Sequence, residues 1–323
     1  MKKFILNFLA VILLSLGFAG FLYFFIEIDG RRDENSVSPL PEFLTLSKNN
    51  QVRFLDLWFP KFDSSEKAVL GANDITAKSA LVYDLSNNQT IYEKSASTKL
   101  PMASLTKIMT AIIALENKRV DDSYVVTAKD LVGEDSMGLT EGEVISFDEL
   151  LHGLMLPSGN DAAEVFANNH PTGRDGFILD MNQKAKSLGL KDTNFVNPSG
   201  LQGDGDQHTT TYDLLVITRY ALENFPEFAK VVATAEYSIP QNSFHKAFDL
   251  YNETNLLTTY EGVRGVKTGY TPEAGLCLVT YLDYGGHKII GIILNSENRR
   301  TEMKTLLDYS LRKYGIAPPE YKG

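Results

Sequence analysis

The chain has 323 residues, of which 43% are apolar and 22% charged, a composition typical of a folded globular protein. Its 41 acidic and 31 basic residues give a formal net charge of −10, which argues against a nucleic-acid partner. The single cysteine, Cys277, excludes a disulfide within the chain and any multi-cysteine metal site, and the five histidines form no H-x-x-x-H pair. Because Cys277 falls in an alternating strand pattern, we expect it to be a core residue.

An apolar run at the amino terminus predicts export from the cytoplasm. Residues 4–26 follow Lys2 and Lys3, and these 23 residues are long enough to cross a hydrocarbon core of about 30 Å. We expect a single uncleaved transmembrane helix in the cell membrane, with residues 1–3 in the cytoplasm and the rest of the chain on the extracytoplasmic side. The alternative is a signal peptide cleaved after Ala19, which the continuing apolar run disfavours.

The folded domain is expected to begin near residue 75. Residues 27–74 are of mixed composition and are typical of a stalk or extension. Within them, residues 55–60 are more apolar than a stalk requires, and we expect them to pack on the domain, with the membrane surface as the alternative. The domain is expected to span residues 75–315 and to be followed by a short tail at residues 316–323.

Local patterns predict a hairpin and several helices in the first part of this domain. Residues 79–83 and 90–93 have strand-forming sequences on either side of Asn87-Asn88, which is a turn signal. Apolar spacing and capping residues predict helices at residues 105–115, 146–155, 174–188 and 210–224. The second of these begins with a capping box that Ser146 and Glu149 form.

The carboxyl-terminal third has a different pattern. It predicts three strands, at residues 263–270, 275–282 and 288–294, and a closing helix at residues 299–314. Residues 283–286 form a hairpin loop between the last two strands. The sequence thus has two early strands, three late strands and helices between them. This order indicates an α+β fold with one antiparallel five-stranded sheet flanked by helices, rather than a βαβ repeat.

Three short motifs occur in order: Ser104-Leu105-Thr106-Lys107, Ser158-Gly159-Asn160 and Lys267-Thr268-Gly269. The first two patterns are common, since S-x-x-K recurs at residues 64–67, 243–246 and 310–313, and S-x-N at residues 47–49, 86–88 and 296–298. Among the S-x-x-K copies, only Ser104 opens an apolar helix after a turn. Context therefore selects this copy as the candidate for chemistry.

The spacing of Ser104 and Lys107 suits a nucleophile and its base. A helix places residues three apart on one face, so that the amine can approach the hydroxyl. A neutral amine can take the serine proton, and burial beside Lys267 would lower the pKa of Lys107 toward that role. The second motif lies on a turn between two helices, where side chains can project into a cleft, and Gly269 allows a substrate to approach a strand edge.

The three motifs resemble those of the penicillin-binding, serine acyl-transferase superfamily. Four longer segments, at residues 101–110, 194–201, 210–215 and 266–271, resemble the low-molecular-mass D-alanyl-D-alanine carboxypeptidases of peptidase family S11. The resemblance covers about residues 75–314. It implies a fold like that of β-lactamases and transpeptidases, peptidoglycan stem peptides as substrates, β-lactams as covalent inhibitors, and no cofactor or metal.

The resemblance also implies roles for the catalytic residues. Ser104 would be the acylated nucleophile and Lys107 its general base. Ser158 would relay a proton toward the leaving amine, while Asn160 would hold both the peptide and Lys107. The backbone N–H groups of Ser104 and Tyr270 would form the oxyanion hole.

Further residues would bind the substrate at the carboxylate end. Lys267 would supply positive charge beside the second motif, and Thr268 would donate a hydrogen bond to the substrate carboxylate. Gly269 would line the same strand. In this family an arginine that opens the last helix also binds the terminal carboxylate, and Arg299 matches it best, with Arg300 as the alternative.

The resemblance leaves related activities open. One is a D-alanyl endopeptidase, which cuts D-alanyl cross-links by a reaction close to that of a carboxypeptidase. A β-lactamase is disfavoured, because Gly159 replaces the aspartate of class A enzymes and no E-x-x-L-N follows Asn160. Another is a non-catalytic receptor that is acylated by β-lactams, which would need a signalling segment on the other side of the membrane. Many relatives carry a second, β-rich domain and a carboxyl-terminal membrane helix, whereas here the amino-terminal segment is expected to provide the anchor.

Overall fold

The computed structural model describes residues 58–61, 70 and 74–323, and every structural statement below refers to them. The predicted transmembrane segment at residues 4–26 and most of the predicted stalk lie outside the described residues. Within the described part of the chain, no helix combines the length and the apolar character needed to cross a bilayer.

Helices separate an early pair of strands from a late group of three. In chain order the elements are β1 (Ser79–Asp84), β2 (Gln89–Lys94), α1 (Lys107–Glu116), β3 (Tyr124–Val125), β4 (Val144–Ile145), α2 (Phe147–Met155), α3 (Asn160–Asn168), α4 (Gly173–Ser187), α5 (Thr211–Asn224), α6 (Pro226–Val232), β5 (Glu236–Ile239), β6 (Phe248–Tyr251), α7 (Leu256–Thr259), β7 (Val263–Thr271), β8 (Gly275–Tyr284), β9 (His287–Ser296) and α8 (Arg299–Lys313).

The central sheet has the strand order β2-β1-β9-β8-β7, and each neighbouring pair is antiparallel. Tight hairpin loops connect β7 to β8 and β8 to β9. Gly285 and Gly286 take φ values of 60° and 83° between β8 and β9, which is the left-handed backbone that a two-residue turn requires. The α+β class and the five-stranded antiparallel sheet flanked by helices are confirmed.

Both faces of the sheet are buried. Leu81 and Tyr83 of β1 enter one apolar core, and Ala80 and Val82 enter the other, because successive side chains of a strand point to opposite faces. The larger core lies between the sheet and helices α1 to α6, and the smaller one lies under α8. Strand β7 remains at one edge of the sheet, beside the start of α1.

The apolar helix predicted at residues 105–115 begins differently from the prediction. Ala103–Thr106 form a 3₁₀ turn, and the α-helix starts only at Lys107. Ala103 has a φ of 48°, so the chain enters this turn from a left-handed conformation that a right-handed helix cannot include. Ser104 therefore lies in a tight turn ahead of α1, and not in the first turn of an α-helix.

The other predicted helices and strands are present, with small shifts at their ends. Ser146 and Glu149 form the predicted capping box in front of α2. The ribbons β3–β4 and β5–β6 and the helices α3, α6 and α7 were not predicted. The ribbons, α6 and α7 are too short for a periodic apolar pattern to show in the sequence.

Two expectations about single residues are confirmed. The Trp58 ring packs edge-on against Tyr83, with 5.3 Å between ring centroids, and its Nε1 donates to Asn88 Oδ1 at 3.3 Å. The described end of the apolar segment 55–60 therefore packs on the domain. Cys277 is fully buried in β8, and burial raises the pKa of its thiol to about 11, as expected for a core residue.

Candidate active site

The turn that precedes α1 brings Ser104 and Lys107 together. In a 3₁₀ turn, with three residues per turn, side chains three apart lie directly above one another. The Lys107 Nζ accordingly lies 3.0 Å from Ser104 Oγ. Ser104 keeps 8% of its surface exposed, whereas Lys107 is fully buried. Ser104 therefore keeps a small exposed surface, while the amine of Lys107 is shielded from water.

The Lys107 amine has three oxygen neighbours. Besides Ser104 Oγ, its Nζ contacts Asn160 Oδ1 at 2.7 Å and the Ser199 carbonyl oxygen at 2.8 Å. When the amine is neutral, these two oxygens, which can only accept, take its two N–H groups and leave its lone pair for the Ser104 proton. Burial, and after it the charge of Lys267, lowers the pKa of Lys107 well below its ordinary value of 10.5. An amine in this environment can accept a proton from Ser104.

Ser158 lies two residues before Asn160, in the turn between α2 and α3. Its φ of 63° is a left-handed conformation that a residue with a side chain rarely adopts. Its Oγ is buried and has no hydrogen-bond partner among the described residues, although most buried hydroxyls have one. A hydroxyl placed in this way can form a hydrogen bond to a substrate and pass a proton.

Asp161, which was not predicted as a site residue, holds the second motif in place. Its carboxylate accepts hydrogen bonds from the backbone N–H groups of Met137 at 3.0 Å and Leu139 at 2.9 Å. A Cβ at Gly159 would lie 2.7 Å from the Gly153 carbonyl oxygen, so the turn has no room for a side chain there. The available signal for Asp161 was an acidic residue at a helix start directly after the motif.

Lys267 and Thr268 belong to the edge strand β7. Lys267 is fully buried, and its Nζ donates to the carbonyl oxygen of Thr268 at 3.1 Å. Burial lowers the pKa of Lys267 to about 8, although the carboxylate of Glu253 opposes the shift. At neutral pH Lys267 is therefore mainly protonated, and it is the positive charge that disfavours a second charge on Lys107.

Two glycines allow close packing against the turn that carries Ser104. A Cβ at Gly269 would lie 3.1 Å from Ser104 N, and one at Gly200, where φ is 90°, would lie 2.0 Å from the Ala103 carbonyl oxygen. We expected Gly269 to allow the approach of a substrate, and in the structure it also makes room for the turn that carries Ser104. Ser199, in a segment already noted as family-like, was given no role because a backbone carbonyl has no sequence signature.

Arg299, the first residue of α8, contacts the sheet beside the third motif. Its Nη1 donates to the carbonyl oxygens of Gly269 at 2.7 Å and Cys277 at 3.3 Å. Among the described residues only Nη1 makes such bonds, so the other guanidinium donors remain available to a ligand. Arg300, the alternative, lies instead over the ring of Tyr321 in the tail, 5.3 Å from its centroid.

The carboxylate of Glu253, which was not predicted as a site residue, lies at the same end of the site. Its Oε2 accepts a hydrogen bond from Thr268 Oγ1 at 2.9 Å and lies 4.0 Å from Lys267 Nζ. No motif or pattern marks this residue in the sequence. Tyr270, which follows Gly269, has 60% of its surface exposed.

The arrangement can perform serine acyl transfer. It combines a hydroxyl nucleophile, a buried amine within hydrogen-bond distance, a second hydroxyl and two cations at one end of a strand. No group of three or more His, Cys, Asp or Glu side chains in the described part of the chain is placed to hold a metal ion.

Comparisons with known proteins identify the family. The family model for D-alanyl-D-alanine carboxypeptidase, peptidase S11, matches residues 65–298. The D-alanyl-D-alanine carboxypeptidase DacF of Bacillus subtilis (strain 168) is 32% identical over 251 residues, which cover 75% of this chain and 64%, less than two thirds, of that relative. The D-alanyl-D-alanine carboxypeptidase of Streptomyces sp. (strain K15) is 34% identical over 244 residues, which cover 68% of this chain and 82% of the relative.

The solved structures agree with the sequence comparisons. The crystal structure of the Streptomyces K15 DD-transpeptidase is similar to this one with a TM-score of 0.69 and 30% identity, covering 75% of this chain and 98% of the other. The residues matched by the family model include all three motifs, and Arg299 lies one residue beyond the match. The chain therefore belongs to the D-alanyl-D-alanine carboxypeptidase family, peptidase family S11.

Proposed function

We propose that this chain is a serine-type D-Ala-D-Ala carboxypeptidase, which removes the terminal D-alanine from peptidoglycan stem peptides through an acyl-enzyme on Ser104. The observation that carries the proposal is the buried Lys107 amine, whose Nζ lies 3.0 Å from Ser104 Oγ and also contacts Asn160 Oδ1 and the Ser199 carbonyl oxygen. Membership of the family supports the same substrate class.

Acylation would begin with Lys107 Nζ taking the Ser104 proton as Oγ attacks the carbonyl carbon of the penultimate D-alanine. The backbone N–H groups of Ser104 and Tyr270 would stabilise the oxyanion that forms. Collapse of the tetrahedral intermediate breaks the C–N bond, and Ser158 would pass a proton to the leaving amine. Water then attacks the ester, which releases the shortened peptide and restores the Ser104 hydroxyl.

Recognition of the terminal carboxylate would use the cations at the end of β7. Lys267 is mainly protonated at neutral pH, Thr268 offers one hydroxyl donor, and the guanidinium of Arg299 carries a permanent charge with several donors. This cationic pocket supports an exopeptidase. A class A β-lactamase is less well supported, because a Cβ at Gly159, the position of that class's aspartate, would lie 2.7 Å from the Gly153 carbonyl oxygen.

Mass spectrometry of the full-length protein with a peptide ending in D-Ala-D-Ala tests this proposal. We expect the loss of one alanine, and a stable penicillin adduct that peptide mapping places on Ser104. Cleavage confined to cross-linked D-alanyl peptides would support the endopeptidase instead. An adduct on Ser64, Ser158 or Ser243 would overturn the assignment of the nucleophile.

Replacing Arg299 with alanine should weaken the reaction with peptides that have a free terminal carboxylate. A hydrogen bond to a charged group contributes about 1.5–3 kcal/mol, so we expect kcat/KM to fall by a corresponding factor of about ten to a hundred. Peptides amidated at that end should be poor substrates already and should be less affected. Arg300→Ala is the matched control, and equal losses on both kinds of peptide would mean that Arg299 is structural.

We propose further that residues 4–26 anchor the protein in the cell membrane with the catalytic domain outside the cytoplasm. The support is the apolar run of 23 residues after two lysines, which only Asn7, Ser15 and two glycines interrupt. The intact mass of protein extracted from membranes should correspond to a chain that retains this segment. A mature chain beginning at Gly20 would show that the segment is a signal peptide.

A further inference from the structure

Glu253 lies where an incoming carboxylate would have to bind. Its Oε2 accepts the hydrogen bond of Thr268 Oγ1 at 2.9 Å. A threonine hydroxyl has a single proton, so Thr268 cannot donate to Glu253 and to a substrate carboxylate at the same time. The same Oε2 lies 4.0 Å from Lys267 Nζ, in the field of the cation that a substrate carboxylate would use.

The backbone around Glu253 is fixed, whereas its side chain can move. The Glu253 N–H donates to the Leu156 carbonyl oxygen at 3.2 Å. The side chain of the preceding residue, Asn252, donates to the carbonyl oxygens of Val232 at 3.2 Å and Thr234 at 2.9 Å. The side chain of Glu253 has 40% of its surface exposed. A change of rotamer can therefore move the carboxylate into solvent without moving the backbone.

We propose that Glu253 is a specificity-determining residue, whose carboxylate occupies the position of the substrate's terminal carboxylate in the free enzyme and is displaced when substrate binds. The inference rests on the proposed function, because it assigns the ligand of the Lys267–Thr268 pocket. Displacement breaks the bond from Thr268, and the displaced carboxylate then lies near a second negative charge. Both effects weaken the binding of substrates with a free carboxylate.

The charges around the pocket set the size of the effect. Lys267 and Arg299 attract any carboxylate, and Asp135 is a further acidic group within electrostatic range of Lys267. Because Glu253 is partly exposed, water screens its interactions, and the effect should be modest. For Glu253→Gln we expect KM for a peptide ending in D-Ala-D-Ala to fall about three- to tenfold, with kcat changed by less than about twofold.

Steady-state kinetics of the full-length protein at pH 6.5, where Lys267 is protonated, provides the first test. The same peptide with an amidated end should show no change in KM, because it brings no carboxylate to compete. Glu261→Gln removes the same charge from an exposed residue in the turn before β7 and is the matched control. A rise in KM for the free-carboxylate peptide in Glu253→Gln would overturn the proposal, since Glu253 would then be assisting binding by supporting the charge of Lys267.

A binding measurement separates this inference from the proposed function. Calorimetric titration of Ser104→Ala and of Ser104→Ala with Glu253→Gln, using the D-Ala-D-Ala peptide, does not depend on turnover. Tighter binding by the double variant supports displacement even where no hydrolysis is found. Equal measurable affinities would contradict displacement alone, and no binding by either protein would contradict the proposed function together with this inference. Glu253→Ala, which removes the carboxylate and leaves only a methyl group, should give the same results as Glu253→Gln in both measurements.

Discussion

Replacing Lys107 with alanine should slow acylation of Ser104 by about a hundred- to ten-thousandfold, the range typical of a lost general base. The reason is geometric as well as chemical. The Lys107 Nζ is the group within hydrogen-bond distance of Ser104 Oγ, and without it the hydroxyl keeps its proton near neutral pH. Time-resolved mass spectrometry of the penicillin adduct measures the rate directly.

Two further variants make the Lys107 result decisive. Lys107→Met fills the buried space with an apolar side chain of similar length, so a slow rate in this variant cannot be attributed to a cavity. Lys246→Ala is the matched control, since Lys246 ends another S-x-x-K sequence but is exposed. An unchanged acylation rate in folded Lys107→Met would refute the role of the amine.

Replacing Ser158 with alanine should lower kcat/KM for D-Ala-D-Ala peptides by a similar factor of about a hundred to ten thousand, because the leaving amine loses its proton donor. The stability of the folded protein should not fall with the activity. The Ser158 Oγ is buried and has no partner among the described residues, and such a hydroxyl destabilises the folded state. We therefore expect the free energy of unfolding to stay the same or to rise by about 1 kcal/mol.

Kinetics together with thermal unfolding tests both parts of the Ser158 prediction. The matched control for the kinetics is Ser86→Ala, which alters another S-x-N sequence in the exposed turn between β1 and β2. It is not a control for stability, because Ser86 Oγ accepts a hydrogen bond from the Lys288 N–H at 2.9 Å. Retained activity in Ser158→Ala would contradict the proton relay. A marked loss of stability would show that the hydroxyl supports the turn and not the reaction.

The charges of the two buried lysines explain how one site can hold both a base and a cation. Lys107 and Lys267 are both fully buried, which penalises the charged form of each. The carboxylate of Glu253 partly offsets the penalty for Lys267, whose pKa stays at about 8, while the charge of Lys267 lowers the pKa of Lys107 further. Since both groups are lysine amines, the difference between their pKa values comes from their neighbours.

Much of the fold could be predicted because its signals are local. The Ser146–Glu149 capping box and the Gly285-Gly286 turn act within a few residues, so they are visible in the sequence and recur in the structure. The start of α1 could not be predicted in this way. Its 3₁₀ turn depends on the left-handed Ala103 and on the packing of Gly200 and Gly269 against it, which are distant in the chain.

The sequence by itself determined the order of the three motifs and favoured Ser104 among four S-x-x-K copies, because both rest on residue type and on neighbouring elements. The preference for Arg299 came from the resemblance to the family. Only the tertiary structure decided which oxygens contact the amine of Lys107, since the carbonyl of Ser199 carries no side-chain signature. It also placed Glu253 on Thr268, a contact between a loop and a strand edge. Such contacts depend on how separate elements pack, and no local pattern encodes them.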